Sequence, residues 1–496
     1  MTSIGHWIAG RHASGTSGRT GTVYDPARGV AQAEVAFASA AEVDDVVKIA
    51  VDGAAAWADS PSGRRASLMF ALRELIDQNR VELASAVTRE HGKTLVDARG
   101  EVDRGLECVE FACGIPHLMK GSHSSQVSSG IDVHTLLQPV GVVAGITPFN
   151  FPVMVPLWML SNALACGNAF VLKPSEKDPS ASLILAELVQ RAGFPDGVFN
   201  VVQGDSEAVD ALLTHPDVKS VSFVGSTPIA QYVYETGTAH GKRVQALGGA
   251  KNHMLVLPDA DLDLAADAAV NAGFGSAGER CMAISALVAV EPIADELIGK
   301  IKDRMGKLVT GDGTRGCDMG PLVTKQHRDK VASYLDSGVS DGATLVVDGR
   351  DADFDSDGEG YFLAPTLFDN VRPGMSVYDD EIFGPVLSVV RVHSYDEGLH
   401  LINRNPYGNG TAIFTNDGGA ARKFQRQVEV GMVGVNVPIP VPVSYYSFGG
   451  WKHSLFGDTH AHGVEGVHFF TRGKVVTSRW LDPSHGGLNL GFPQND

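Results

Sequence analysis

Between Val133 and Leu172 the chain carries no Asp, Glu, Lys or Arg. A stretch that long without charge either crosses lipid or is wrapped in protein on every side. An uncharged run of more than about 18 residues is the ordinary mark of a membrane span. Here Pro139, Pro148, Pro152 and Pro156 break any single helix through it. Asn150, Asn162 and Asn168 would place amides in hydrocarbon. The run therefore reads as buried strand, irregular loop, buried helix and buried strand, and no membrane span is expected.

The flanking sequence continues that rhythm. Strands are expected at 140–146, 169–172, 198–202 and 218–224. Helices are expected at 154–165, at 180–192 with Asp178 or Ser180 as cap, at 206–214 behind Asp205, and from Pro228 onward. Alternation of this kind builds a parallel sheet with helices on both faces, and such sheets bind nucleotides at the carboxyl ends of their strands. After about residue 250 the rhythm restarts, with strands at 253–257, 284–290 and 345–347 and helices at 262–272, 295–305 and 325–336. At about 150 residues per domain, 496 residues suggest about three domains. The end of the chain, after 474–480, is rich in Gly, Pro and Ser and reads as an extended tail.

Composition removes several classes. Forty basic against 58 acidic residues give a net charge of −18, so the basic surface a nucleic-acid binder needs is missing. The cysteines are Cys108, Cys113, Cys166, Cys281 and Cys317, an odd number without a CxxC pair. Neither a disulfide framework nor a metal site is expected. The first residues lack an apolar signal segment, and a reducing cytoplasm is the expected compartment.

Single motifs decide little. Gly273-Phe-Gly-Ser-Ala-Gly278 fits GxGxxG, but a helix precedes it and a strand follows, the reverse of a dinucleotide fingerprint. Gly92-Lys93-Thr94 looks like the end of a phosphate loop, yet Val87 stands where its first glycine belongs. His460 and His462 read as surface residues. Cys281 lies beside Arg280, whose charge is expected to lower the thiol pKa. Thr147-Pro148-Phe149-Asn150-Phe151-Pro152 follows a buried strand and could turn an amide into a cleft. Lys173-Pro174-Ser175-Glu176 ends the next strand, where the Lys and Glu could grip ribose hydroxyls. Phe223-Val224-Gly225-Ser226-Thr227-Pro228 runs from strand into helix start, a place that binds phosphate through free N–H groups.

Taken together and in order, these segments, with Leu247-Gly248-Gly249 and Glu381-Ile-Phe-Gly-Pro385, resemble the aldehyde dehydrogenase superfamily along nearly the whole chain. Val435-Asn-Val-Pro-Ile-Pro-Val-Pro442, Gly249-Ala-Lys-Asn-His253, Arg104-Gly-Leu-Glu-Cys-Val-Glu110 and the Arg280-Cys281 pair resemble its CoA-acylating methylmalonate-semialdehyde and malonate-semialdehyde branch. The resemblance implies an α/β fold with two Rossmann-like parallel-sheet domains and a small β arm for oligomerisation. The NAD-binding domain would be 1–118 with 138–247, the catalytic domain 248–469, and the arm 119–137 with 470–496. A homotetramer is the implied assembly.

The resemblance also implies roles. Cys281 would attack the aldehyde, and Asn150 would stabilise the oxyanion. Arg104 and Arg280 would bind the substrate carboxylate. Thr147, Phe149, Lys173, Glu176, Lys177, Gly225, Ser226, Gly248, Glu381 and Phe383 would hold NAD. Relatives that hydrolyse their thioester carry a Glu just before Leu-Gly-Gly; here that place falls on Ala246 or Leu247, depending on the alignment. CoA is therefore the expected acyl acceptor, giving propionyl-CoA or acetyl-CoA after loss of carbon dioxide. The alternative is a hydrolytic NAD-dependent enzyme on another small aldehyde, with a carboxylate such as Glu279 as its base. Valine, inositol and β-alanine breakdown all produce suitable semialdehydes, and no motif marks a CoA site.

Overall fold

The computed structural model describes residues 2–480 and residue 490. Its first sheet has eight strands. The inner five run in the order Arg243–Leu247, Val218–Val224, Val142–Ile146, Ala169–Lys173 and Phe199–Val201, all parallel. Antiparallel strands close both edges: Leu455–Phe456 beside Arg243–Leu247, and His6–Ile8 then Arg11–Ala13 beside Phe199–Val201. A seven-stranded sheet is centred on Ile284–Val290 and Asn252–Val256, parallel except for its edge strand Thr344–Val347.

From Val142 onward the uncharged run is explained by burial on both sides; its first residues, 133–139, lie in the strand Ile131–Pro139, which is only partly buried, with Leu136 exposed. Every residue of Val142–Ile146, Met154–Cys166 and Ala169–Lys173 is buried. The helix Met154–Cys166 packs between the sheet and the helix Leu95–Cys113. Removing that much apolar surface from water, at about 25 cal/mol per Å², is the main stabilising term. Among the described residues, no helix is long and apolar enough to cross a membrane.

A three-stranded antiparallel sheet, His123–Ser128, Ile131–Pro139 and Thr471–Arg479, stands apart from the other two. Residues 481–489 and 491–496 of the expected arm lie outside the described residues. The sheet is tied to the core by fully buried Asn168. Its Oδ1 accepts the N–H groups of Val140 and Gly141 at 2.8 and 3.1 Å. Its Nδ2 donates to the carbonyls of Ala163 and Phe470, both at 3.0 Å.

Two expectations change. The helix at Ser180–Arg191 has Pro179 as its N-cap, and neither Asp178 nor Ser180 caps it through a side chain. Instead the Ser180 N–H donates to Glu90 Oε2 at 3.0 Å, so a neighbouring helix satisfies this start. Asp178 is buried, and burial with the nearby Glu90 and Glu101 holds its pKa well above the usual carboxylate range. His462 is not a surface residue: it is buried, with its ring edge-on to Trp158 at 5.4 Å. Its polar sequence neighbours conceal that packing.

Replacing Asn168 by Ala leaves two N–H and two carbonyl groups without this partner in the interior, at about 1–3 kcal/mol for each group left unsatisfied. Urea unfolding of N168A is expected to show a loss of at least about 3 kcal/mol; a loss under 1 kcal/mol would contradict this role.

Candidate active site

The strand Val142–Ile146 delivers the segment 147–152 to the carboxyl edge of the first sheet. A buried ion pair holds that segment. Lys93 Nζ donates to Glu101 Oε2 at 2.8 Å and to the Asn150 carbonyl at 2.5 Å. Glu101 Oε1 accepts the N–H groups of Val153 and Met154 at 2.7 and 3.1 Å. The helix beginning at Met154 thus receives a carboxylate where it has no capping side chain. Lys93 Nζ also lies 4.3 Å from the centre of the Phe151 ring. Nothing in the sequence marks Lys93 or Glu101 beyond the Gly-Lys-Thr triplet, because their roles depend on contacts made far along the chain.

Cys281 arrives from the other sheet. The helix Leu262–Phe274 runs into a turn where Ser276, Ala277 and Gly278 all have positive φ, at 53°, 52° and 74°. A Cβ on Gly278 would lie 2.2 Å from the Gly384 carbonyl oxygen, so only glycine fits there. The Cys281 carbonyl accepts from Asn252 Nδ2 at 2.9 Å and Asn409 Nδ2 at 3.1 Å. Asn150 Nδ2 donates to the Glu279 carbonyl at 2.9 Å, which brings the amide from the first sheet to the segment entering Cys281.

The expected acidification of the thiol is not found. Burial pushes the Cys281 thiol up to about 12, and Glu381 pushes the same way. Arg280 pulls the other way but is outweighed by burial, and its guanidinium is paired with the Asp97 carboxylate. Adjacency in sequence gives a cation but not the anion that neutralises it.

Three cavities meet at Cys281. One of about 330 Å³ is walled by Asp97, Gly100, Arg104, Arg280, Trp158 and Phe448. One of about 220 Å³ on the other side is walled by Phe149, Asn150, Gly225, Ser226, Gly248 and Phe383, among others. A third space of about 20 Å³, the size of a single water, touches Cys281, Arg280 and Glu381. A larger cavity of about 800 Å³ lies elsewhere, against Arg372, Arg391 and Arg404, and includes none of the predicted site residues. Arg104 is half-exposed and donates to Glu107 at 2.9 and 3.2 Å.

The second cavity suits a dinucleotide. Helix Thr227–Ala239 starts at Ser226 without a side-chain cap, leaving N–H groups for an anion. A Cβ on Gly249 would lie 2.2 Å from Glu381 Oε2, and one on Gly248 2.8 Å from the His453 carbonyl oxygen. Glu381 accepts the Ala250 N–H at 2.8 Å, and burial pushes its carboxyl up to about 7. Phe149 and Phe383 meet edge to face at 6.0 Å, with Lys177 Nζ 4.3 Å from the Phe149 centroid. Near this cavity, Thr147 donates its N–H to the Lys173 carbonyl at 3.2 Å. Lys173 Nζ donates to Glu176 Oε2 at 3.3 Å. Burial raises the Glu176 pKa, but Lys173 and other partners outweigh it and the carboxyl stays low.

No carboxylate stands at the hydrolytic position. Ala246 and Leu247 are buried in the strand Arg243–Leu247, opposite Phe456 and Leu455. Glu279 lines none of the cavities at Cys281. It is fully buried, accepts the Val323 N–H at 3.3 Å, and lies 3.6 Å from both His91 and His327. His91 Nδ1 accepts the Lys93 N–H, so neutral His91 carries its proton on Nε2, facing Glu279. Burial holds both histidine pKa values down and pushes Glu279 up to about 8.

The folded chain therefore keeps a proton on Glu279 that the unfolded chain loses near pH 4.5. Stability falls as pH rises through that window, and the full cost is present above about pH 8. Glu279→Gln should be more stable than the wild type at pH 8, with a gain that shrinks toward pH 4.5 in urea titrations. A gain independent of pH would contradict the assignment.

Residues 12–476 match the model of the aldehyde dehydrogenase family. A malonate-semialdehyde dehydrogenase of Pseudomonas aeruginosa is 53% identical, covering 99% of this chain and 100% of the relative. Malonate-semialdehyde dehydrogenase 2 of Geobacillus kaustophilus is 48% identical, covering 97% and 99%. Among solved structures, methylmalonate-semialdehyde dehydrogenase from Oceanimonas doudoroffii superposes with a TM-score of 0.96 at 52% identity, covering 98% of this chain and 99% of that one. A provisionally assigned methylmalonate-semialdehyde dehydrogenase from Sinorhizobium meliloti, solved with NAD, gives 0.96 at 53% identity, covering 97% and 99%.

Proposed function

The chain belongs to the aldehyde dehydrogenase family, and on that footing we propose that it oxidises malonate and methylmalonate semialdehydes with NAD and passes the acyl group to CoA. The observation that carries this reading is the cavity in which Arg104 and Arg280 share a wall with Cys281. An aldehyde bearing a carboxylate near its reacting carbon matches that wall, since guanidinium forks hold carboxylates with charge-assisted hydrogen bonds. The names of the relatives point to the same substrates.

The chain's own groups define the steps. The Cys281 thiol gives up its proton to water, and the thiolate so formed attacks the aldehyde carbon. The Asn150 amide and the Cys281 N–H stabilise the resulting oxyanion. When bound, NAD supplies the hydride acceptor that turns the thiohemiacetal on Cys281 into a thioester. Lys173 and Glu176 are assigned to the adenosine ribose, with Lys177 toward the adenine side. Gly225 and Ser226 are assigned to the pyrophosphate, Glu381 to the nicotinamide ribose, and Thr147, Phe149, Gly248 and Phe383 to its borders. Glu176, an anion, disfavours a 2′-phosphate. With Ala246 and Leu247 at the hydrolytic position, water lacks its base there. The softer thiol of CoA then becomes the acceptor. The substrate carboxylate leaves as carbon dioxide, its electron pair passing into the thioester enolate, which takes a proton to give acetyl-CoA or propionyl-CoA.

The wider organisation is part of the same proposal. We assign 1–118 with 138–247 to the cofactor domain, 248–469 to catalysis and 119–137 with 470–496 to an assembly arm. Sheet membership supports this, although Leu455–Phe456 reaches back to pair with the cofactor sheet. The separate sheet of His123–Ser128, Ile131–Pro139 and Thr471–Arg479 supports an arm of this kind in a homotetramer. Five unpaired cysteines suit a reducing cytoplasm.

NADH formation from either semialdehyde should depend on CoA and yield acyl-CoA. Equal rates without CoA, with free acid as product, would move the assignment to the hydrolytic reading. Cys281→Ala should abolish turnover, and Asn150→Ala should lower kcat by about 10²–10³.

A further inference from the structure

The cavity that holds Cys281 is lined by two acidic residues as well as two arginines. Arg280 Nη2 is hydrogen-bonded to Asp97 Oδ1, and Asp97, Gly100, Glu101 and Arg104 all line the cavity from one helix face. Among the described residues the Arg280 guanidinium has no other hydrogen-bonding or ion-pair partner. Its guanidinium lies flat against Gly275, where an added Cβ would stand 2.5–2.8 Å from Nη1, Cζ and Nη2. Asp97 is fixed in turn. It sits in the first turn of Leu95–Cys113, its N–H donates to Thr94 Oγ1 at 3.2 Å, and the helix start favours its charge. The remaining ionised groups on this face are accounted for: Glu101 is held by Lys93, and Arg104 by Glu107.

We propose that Asp97 is a positioning and specificity residue, which grips one nitrogen of Arg280 so that the rest of the fork stays turned to the cavity for a substrate carboxylate. A five-donor guanidinium can serve two carboxylates at once, one fixed and one arriving. Without Asp97, Arg280 retains its charge but is held only by the Gly275 surface, and the substrate must order it on binding. Asp97 also neutralises the arginine when the site is free, so a neutral aldehyde gains nothing from it. Asp97 touches neither the aldehyde nor the cofactor in this scheme and acts through Arg280. The inference rests on the carboxy-semialdehyde reading above.

The test compares malonate semialdehyde with propionaldehyde, of equal chain length but without the carboxylate, at fixed NAD and CoA. Wild type should prefer malonate semialdehyde in kcat/KM; absence of any preference would overturn the substrate reading itself. Given that preference, Asp97→Ala should reduce it by about 10- to 100-fold, mainly through KM for the semialdehyde. The isosteric Asp97→Asn, which keeps a hydrogen-bond acceptor, should recover part of the loss and guards against a folding defect. A preference unchanged in both variants, or an equal loss on both aldehydes, would overturn the role of Asp97.

Discussion

The buried pair of Lys93 and Glu101 is the constraint on which the site depends. One ammonium holds the Asn150 carbonyl, and one carboxylate holds the first N–H groups of the helix at Met154. The loop bearing the Asn150 amide and the helix filling the core are therefore set by the same two charges. Desolvating such a pair is expensive, and it persists where further hydrogen bonds satisfy both partners, as they do here. Removing either partner would leave an uncompensated charge in the core, at about 3–5 kcal/mol. Catalytic geometry and fold stability are thus coupled through one interaction.

Around that anchor the site is kept nearly free of net charge. The Cys281 thiol is pushed up to about 12, Glu279 to about 8 and Glu381 to about 7, while His91 and His327 are held down. Burial is the main cause in each case. Arg280, the cation nearest the nucleophile in sequence, is matched by Asp97. A carboxylated aldehyde therefore enters an interior whose cations are already oriented, and an uncharged sulfur waits beside it. The hydrogen bond from Asn150 Nδ2 to the Glu279 carbonyl, at 2.9 Å, shows how closely the two halves of the cleft meet.

Much of this was legible in the sequence, for physical reasons. The uncharged run reads as interior, and the structure buries Val142–Ile146, Met154–Cys166 and Ala169–Lys173 throughout. The strand Ile131–Pro139, in which the run begins, is only partly buried, because it belongs to the small separate sheet. Strand and helix periods placed the parallel sheets, and the order expected around Gly273–Gly278, helix before and strand after, is the order found. What stayed hidden depended on distant partners. Glu90 supplies the hydrogen bond expected from Asp178 or Ser180, Trp158 covers His462, and Asp97 pairs with Arg280 from 183 positions away. A sequence shows that a charge is present but not which opposite charge folding will bring to it.

The central claim is that the acyl group rests on Cys281 until a thiol removes it. Rapid mixing of enzyme, NAD and methylmalonate semialdehyde without CoA, followed by mass spectrometry of the quenched protein, tests this directly. The account predicts a burst of about one NADH per active site, an acyl adduct on the peptide containing Cys281, and loss of that adduct when CoA is added. Continuous turnover without a burst, or an unmodified Cys281 after NADH has formed, would contradict it.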